Sequence, residues 1–230
     1  MNLAIIPARA NSKRIKNKNI LNFLGKPMIQ WSILAAKKTK IFDKIIVSTD
    51  CKKISALANR LGAETPFLRP KNLSNDKAEI IQVVKHSVKW FEKKKIKFEN
   101  ICCIFATAPL INYKKIIEGF KKLQKKKKDF IFSAKENKNI DLRSFYFKKS
   151  RLMMLNDGFY HYASQDLPAS FSDVGQFYWG KRNLWLRHKR IFSLKSSIIK
   201  IPELETCDIN TYDDLKLAKK LAMKKLKRNI

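Results

Sequence analysis

Apolar residues fall along this chain in two alternating textures. Short unbroken runs alternate with longer stretches in which apolar positions recur every three or four residues. Leu3 to Ile6, Lys44 to Ser48 and Ile101 to Phe105 are of the first kind, and a run without polar alternation is the mark of a strand buried on both faces. The second kind follows each of them. Pro27 opens a helix carrying Met28, Ile29, Trp31, Leu34 and Ala35; Lys52 to Leu61 is a helix ended by Gly62; Ile80 to Phe91 sets Val83, Val84, Val88 and Phe91 on one side; and Tyr113 to Leu123 is again helical. This βαβαβ rhythm predicts an α/β fold, an open doubly wound and mostly parallel sheet with helices on both faces. The ligand of such a sheet lies beyond the carboxyl ends of its strands, where the loops after Pro7, Asp50 and Ala106 gather.

From Phe130 the rhythm breaks. Phe130 to Ser133 and Gln176 to Trp179 read as strands and Tyr212 to Lys227 as a long basic helix, but residues 135–170 are polar, aromatic and without period. An inserted arm is expected there, within a single domain spanning 1–230 and without internal repeats. With 45% hydrophobic residues the chain can bury a core despite a formal charge of +31, which excludes a disordered chain. Only ten of its 50 basic residues are Arg, and the lysines come in runs such as Lys125 to Lys128. That pattern is expected of a solvated surface that attracts polyanions, nucleotides included, rather than of a specific nucleic-acid reader. The four cysteines lack metal or disulfide spacing, the N-terminal apolar run is too short for a signal core, and no run reaches membrane-spanning length. A soluble, reduced, cytoplasmic protein with no membrane insertion is the expectation.

The stretch richest in chemistry is the loop directly after the first strand, Ala8 to Asn19. It carries Arg9, Lys13, Arg14 and Lys18 together with Ser12 and Asn19, point charges and donors that suit the non-bridging oxygens of a triphosphate. It is neither a glycine-rich dinucleotide loop nor a Walker loop, since it has no Gly and no GK[ST]. Composition alone leaves a basic surface loop open as the alternative.

The run from Ile6 to Asn19, followed by Gly25-Lys26-Pro27-Met28-Ile29, resembles the IPARGGSKGIPxKN motif of the cytidylyltransferases that activate nine-carbon acidic sugars, the CMP-sialic acid synthetase family. Further matches follow in order: Val47-Ser48-Thr49-Asp50, Pro66 to Pro70, Ala106 to Leu110, Gln165 to Pro168, Asp173 to Gly180 and Asp208-Ile209-Asn210. Arg14, the stretch Ile104 to Pro109 and the stretch Gly175 to Gly180 look most like the pseudaminic acid cytidylyltransferase branch. The resemblance implies a Rossmann-like nucleotide-diphospho-sugar transferase fold whose arm, 135–170, serves dimerisation. It implies that Arg9, Ser12, Lys13, Lys18, Asn19 and Arg69 bind the nucleotide and that Phe105, Gln165, Gln176, Phe177 and Tyr178 line a sugar pocket. Asp208 would hold Mg²⁺, with Asn210 where relatives have a second aspartate, and Arg9, Lys13, Lys18 and Asp208 would carry catalysis. CTP and a nine-carbon sugar acid would be the substrates of a homodimer.

Several positions depart from the family pattern. Ala10 and Asn11 replace two glycines, Lys16 a proline, Ala78 and Ile80 hydroxyl residues; Ser164 stands where an arginine is common, and Asn210 loses a charge at a hard cation. A CMP-sialic or CMP-legionaminic acid synthetase, or a catalytically impaired nucleotide-binding homologue, are the alternatives. His86 and His161 qualify as a general base by residue type alone.

Overall fold

The computed structural model describes residues 1–125, 128–137, 141–187 and 190–228. Along the chain run β1 (Asn2–Pro7), β2 (Asn22–Phe23), β3 (Lys26–Pro27), α1 (Met28–Thr39), β4 (Lys44–Ser48), α2 (Lys52–Arg60), α3 (Ile80–Lys93), β5 (Asn100–Ile104), α4 (Tyr113–Lys125) and β6 (Phe130–Glu136). Then come β7 (Phe145–Lys148), β8 (Arg151–Met154), β9 (Phe171–Lys181), α5 (Arg182–Arg187), β10 (Ser197–Lys200) and α6 (Tyr212–Arg228). Among them a six-stranded sheet has the order β10-β6-β9-β5-β1-β4. β1 pairs in parallel with β4 on one side and β5 on the other, and β10 in parallel with β6.

The strand runs have no polar alternation because both faces of the sheet are covered. Ala4 and Ile6 of β1 join Ile29, Ile33, Ile54 and Ile116 from α1, α2 and α4, while Leu3 and Ile5 join Val84, Val88 and Phe91 of α3 and Trp185 of α5. Each fully buried Leu or Ile contributes about 1.5–3 kcal/mol of transfer free energy, so either face alone outweighs any preference of the loops.

One strand reverses. The expected strand at Gln176 to Trp179 is the middle of the eleven-residue β9, antiparallel to both β5 and β6. Parallel neighbours need a crossover element. Between β6 and β9 the chain instead leaves the sheet into the excursion 137–170 and re-enters at the end where it left. Five strands still point one way, as the mostly parallel expectation required. The β7–β8 hairpin, α5 and β10 were not expected; each is four to six residues long and too short to display a period.

A third apolar cluster sits off the sheet. Ile15, Phe23, Met28, Leu110, Ile209, Leu215 and Ala218 pack together, so that α6 pins the loop after β1 to the segment just before its own N-terminus. Thr211 and Asp214 cap that helix reciprocally: Asp214 accepts the N–H groups of Asn210 and Thr211 at 2.9 and 2.7 Å, and the Thr211 hydroxyl accepts from Asp214 N–H at 3.2 Å.

Candidate active site

The loop after β1 is laid across the sheet end by polar bonds and one apolar anchor. Ala8 N–H continues the ladder to Ser48 O at 2.9 Å, Ala10 N–H donates to Asp50 Oδ1 at 2.8 Å, and Asn19 Nδ2 donates to Arg9 O at 2.8 Å. Ile15, fully buried in the third cluster, ties down the middle of the loop and leaves the flanking cations facing out. Where relatives have glycines, neither Ala10 nor Asn11 adopts a positive φ; the left-handed residue is Asn17, at φ 55°. The two replacements therefore carry no backbone strain.

Those cations line a cleft of about 690 Å³ at the carboxyl ends of β1 and β5, where the strand order reverses direction and ligands of such sheets bind. Arg9, Ser12, Lys13, Arg14, Lys18, Asn19, Arg69 and Phe105 all line it; the first six come from the loop singled out by its residues, Arg69 and Phe105 from what the family resemblance implies. Arg69 is brought in by its backbone N–H bonding Thr49 O at 2.7 Å beyond β4, and Nε donates to Ser74 Oγ at 3.1 Å. Burial holds its pKa below the ordinary arginine value, opposed by Asp50. Burial likewise lowers Lys18, with Asp208 opposing and Arg14 and Arg9 adding to the fall. A cationic pocket with desolvated charges is poised to take up an anion.

The second edge of the site is acidic. Lys18 Nζ donates to Ile209 O at 2.5 Å, and Asn210 Nδ2 donates to Asp208 Oδ2 at 2.6 Å. With Ile209 buried, Asp208 and Asn210 on either side of it are held beside the cationic loop. Asp173, on the part of β9 that overshoots the end of β5, accepts a hydrogen bond from the Tyr178 hydroxyl. Burial raises its pKa, and the Asp208 carboxylate adds to that rise; the tyrosine is pushed up by burial and then by Asp173.

Phe105, on the cleft wall, meets Tyr178 edge to face at 5.0 Å, so that the buried Tyr178 backs the wall from behind and does not itself line the cleft. Gln176 is buried, donating through Nε2 to Glu205 O, with its Oε1 having no partner among the described residues. Phe177 is not brought to the cleft. Successive β9 side chains point to opposite faces, and Phe177 is fully buried on the α4 face, where a Cβ added at Gly119 would come within 2.9 Å of its ring. Gln165 lies exposed in the excursion, apart from the cleft within one chain. Neither named histidine lines the cleft: His86 packs edge to face on Phe67 at 4.8 Å, its pKa lowered by burial, and His161 meets Tyr160 edge to face in the excursion.

Sequence reasoning missed Asp76, Thr107 and Asp173. Asp76 stands in the cleft wall and pairs with Arg9 and Lys13, whose hydrogen bonds hold its carboxyl below the ordinary range, Lys13 first. Its only sequence signal is a turn-forming run, Ser74-Asn75-Asp76, which says nothing about what the carboxylate faces.

The profile of a family described as cytidylyltransferase matches residues 3–229 of the chain. Pseudaminic acid cytidylyltransferase of Campylobacter jejuni subsp. jejuni serotype O:2 is 39% identical over 219 residues, 95% of this chain and 94% of that protein. N-acylneuraminate cytidylyltransferase of Escherichia coli O18:K1:H7 is 27% identical over 230 residues, 99% of this chain and 54% of that protein. A solved structure of a CMP:2-keto-3-deoxy-manno-octonic acid synthetase complexed with CTP has a TM-score of 0.70 and 15% identity, covering 97% of this chain and 99% of that one. At that identity the likeness is one of fold.

Proposed function

Because the chain belongs to the cytidylyltransferase family, we propose that it transfers CMP from CTP to a nine-carbon sugar acid, pseudaminic acid, and releases pyrophosphate. The observation that carries this function is the cationic cleft at the carboxyl ends of β1 and β5, in a chain similar from end to end to a pseudaminic acid cytidylyltransferase.

The anomeric hydroxyl of the sugar attacks the α-phosphorus in line. An O–P bond forms, the bond from the α-phosphorus to the bridging oxygen breaks, pyrophosphate leaves with the electron pair, and the hydroxyl proton is released to solvent. The protein contributes orientation and charge, which is most of what phosphoryl-type transfer demands. Arg9, Lys13 and Lys18 neutralise charge as it shifts to the leaving pyrophosphate, Ser12 and Asn19 donate to phosphate oxygens or the ribose, and Arg69 fixes the cytidine half. Phe105, backed edge-on by the buried Tyr178, offers an apolar wall to the sugar.

The acidic edge fits magnesium by donor chemistry. The Asp208 carboxylate and the amide oxygen of Asn210, whose Nδ2 is turned to Asp208, are hard oxygen ligands, and one carboxylate plus substrate phosphates is a common way of holding Mg²⁺. When bound, the metal ion supplies charge neutralisation at the phosphates. Asp208 and Asn210 would hold it.

The excursion 137–170 serves dimerisation in this proposal. Its β7–β8 hairpin exposes Phe145, Phe147 and Leu152 to solvent, and an isolated two-stranded hairpin is marginal in water. Among the described residues no helix is long and apolar enough to cross a membrane, and use of CTP together with four free cysteines suits the cytoplasm.

A pyrophosphate-release screen of CTP, UTP, ATP and GTP against pseudaminic, legionaminic and sialic acids tests the assignment. CTP with pseudaminic acid is expected to win clearly, since a mismatched base edge leaves buried polar groups unpaired. Turnover led by legionaminic or sialic acid would move the chain to a sister activity, and CTP binding without turnover would mark an impaired homologue.

A further inference from the structure

Asp76 stands between the single turn Lys71–Leu73 and α3, with both carboxylate oxygens engaged. Arg9 Nη2 donates to Oδ1 at 2.7 Å and Lys13 Nζ to Oδ2 at 2.6 Å. These are two of the cations that hold phosphate in the function proposed above, on which this inference rests. One carboxylate bridging a guanidinium and an ammonium makes the same charge-assisted bonds as a pair of non-bridging phosphate oxygens. Its loop is fixed from below: Arg69 Nε donates to Ser74 Oγ, Ser74 Oγ donates to Pro70 O at 3.0 Å, and Asn75 Oδ1 accepts the N–H groups of Lys77 and Ala78 at 2.9 and 3.0 Å. Asp76 is thus presented to the phosphate side by its backbone. Its side chain is 41% exposed and those of Arg9 and Lys13 34% and 81%, and ion pairs so wet are weak enough to exchange.

We propose that Asp76 is an internal anion that occupies the phosphate subsite of the empty enzyme, yields Arg9 and Lys13 to the incoming triphosphate, and returns to them as pyrophosphate departs. Two consequences follow from competition for the same donors. Every ligand that uses this subsite binds more weakly than the cations alone would allow, and pyrophosphate, the product that depends on them most, is displaced fastest. Asp76 acts through Arg9 and Lys13 and is a positioning residue for turnover. The reacting atoms need no contact with it.

The test is calorimetric titration of the full chain with inorganic pyrophosphate in the absence of metal, alongside pyrophosphate inhibition of turnover. Asp76→Asn is expected to tighten pyrophosphate binding on the order of tenfold, the sum of two exposed ion pairs released. The inhibition constant for pyrophosphate should fall by a similar factor, and KM for CTP should fall with kcat unchanged or lowered. Loss of structure does not raise affinity, so this sign separates competition from damage. The gain should shrink as salt is raised from about 0.05 to 0.5 M. Asp76→Glu, which keeps a competing carboxylate, should stay near the parent. Glu118→Gln on α4 adds the same net charge away from the cleft and should change nothing. Weaker or unchanged pyrophosphate binding in Asp76→Asn overturns the proposal, the weaker outcome meaning that the carboxylate holds the cations in place for the ligand. Failure of the nucleotide assignment is read separately, as CTP showing no advantage over UTP or ATP, and leaves the pyrophosphate comparison intact.

Discussion

The cleft and the excursion solve the same problem in opposite ways. Around the cleft, apolar residues go under the chain and polar ones over it: Ile15 and Ile209 are fully buried, while Arg9 and Lys13 line the cleft and Asp208 stays exposed beside Ile209. In the excursion none of the described residues joins a buried apolar cluster. Phe147 is 76% and Leu152 59% exposed, on strands paired only with each other through a two-residue turn at Lys149 and Ser150, both with positive φ. The proposed chemistry lies where the sheet supplies the burial, and the proposed association surface where it does not. A side chain is free for function only when another residue meets the hydrophobic requirement of its segment.

The largest effect expected from this contrast is on assembly. Phe147→Glu combined with Leu152→Glu removes two apolar side chains from each copy, worth about 1.5–3 kcal/mol apiece if buried, and should weaken the dimer by at least about 10³-fold. Light scattering across a dilution series reads it; a parent protein that is monomeric throughout would mean that the exposed hairpin has another purpose. Next in size is Lys13→Ala. Loss of one preorganised donor to a leaving group lowers kcat by a factor on the order of 10²–10³, and a folded variant with unchanged kcat would make the loop merely a basic surface.

A smaller change is expected at the acidic edge. Asn210→Asp would give a Mg²⁺ ion held at the proposed site a second carboxylate, and the Mg²⁺ concentration for half-maximal rate should fall about three- to tenfold. Mn²⁺ titration followed by spin resonance checks the same shift without turnover, while Asp208→Ala should leave little metal response to measure. The smallest effect should be a null crossing between the two regions. The doubly substituted hairpin should bind CTP within about twofold of the parent by calorimetry, because every cation on the cleft comes from the sheet ends of the same chain. A large loss there would show the two regions to be energetically joined.

Much of this was legible in the residues. The runs at Leu3 to Ile6, Lys44 to Ser48 and Ile101 to Phe105 announce buried strands because both faces of the sheet are covered, and Arg9, Ser12, Lys13, Lys18 and Asn19 announce themselves by lying in one short loop after the first of them. Phe177 illustrates a limit. A motif places Gln176, Phe177 and Tyr178 side by side, but strand geometry sends alternate side chains to opposite faces, so Tyr178 meets Phe105 while Phe177 packs on α4. Asp76 illustrates another, since its partners Arg9 and Lys13 lie more than sixty positions away.

Local pattern was enough to determine the class of fold, the end of the sheet at which the cleft opens and the cationic loop, since each depends on neighbours within a few residues: burial period, turn chemistry and charge density. Tertiary structure alone decided the reversal of β9, the face on which each of its aromatic residues acts, the meeting of Asp173 with Tyr178 near Asp208, and the closure of Asp76 over Arg9 and Lys13. Those features depend on which distant segments pack together, and that is set by the summed burial of the whole sheet, which no single segment of sequence encodes.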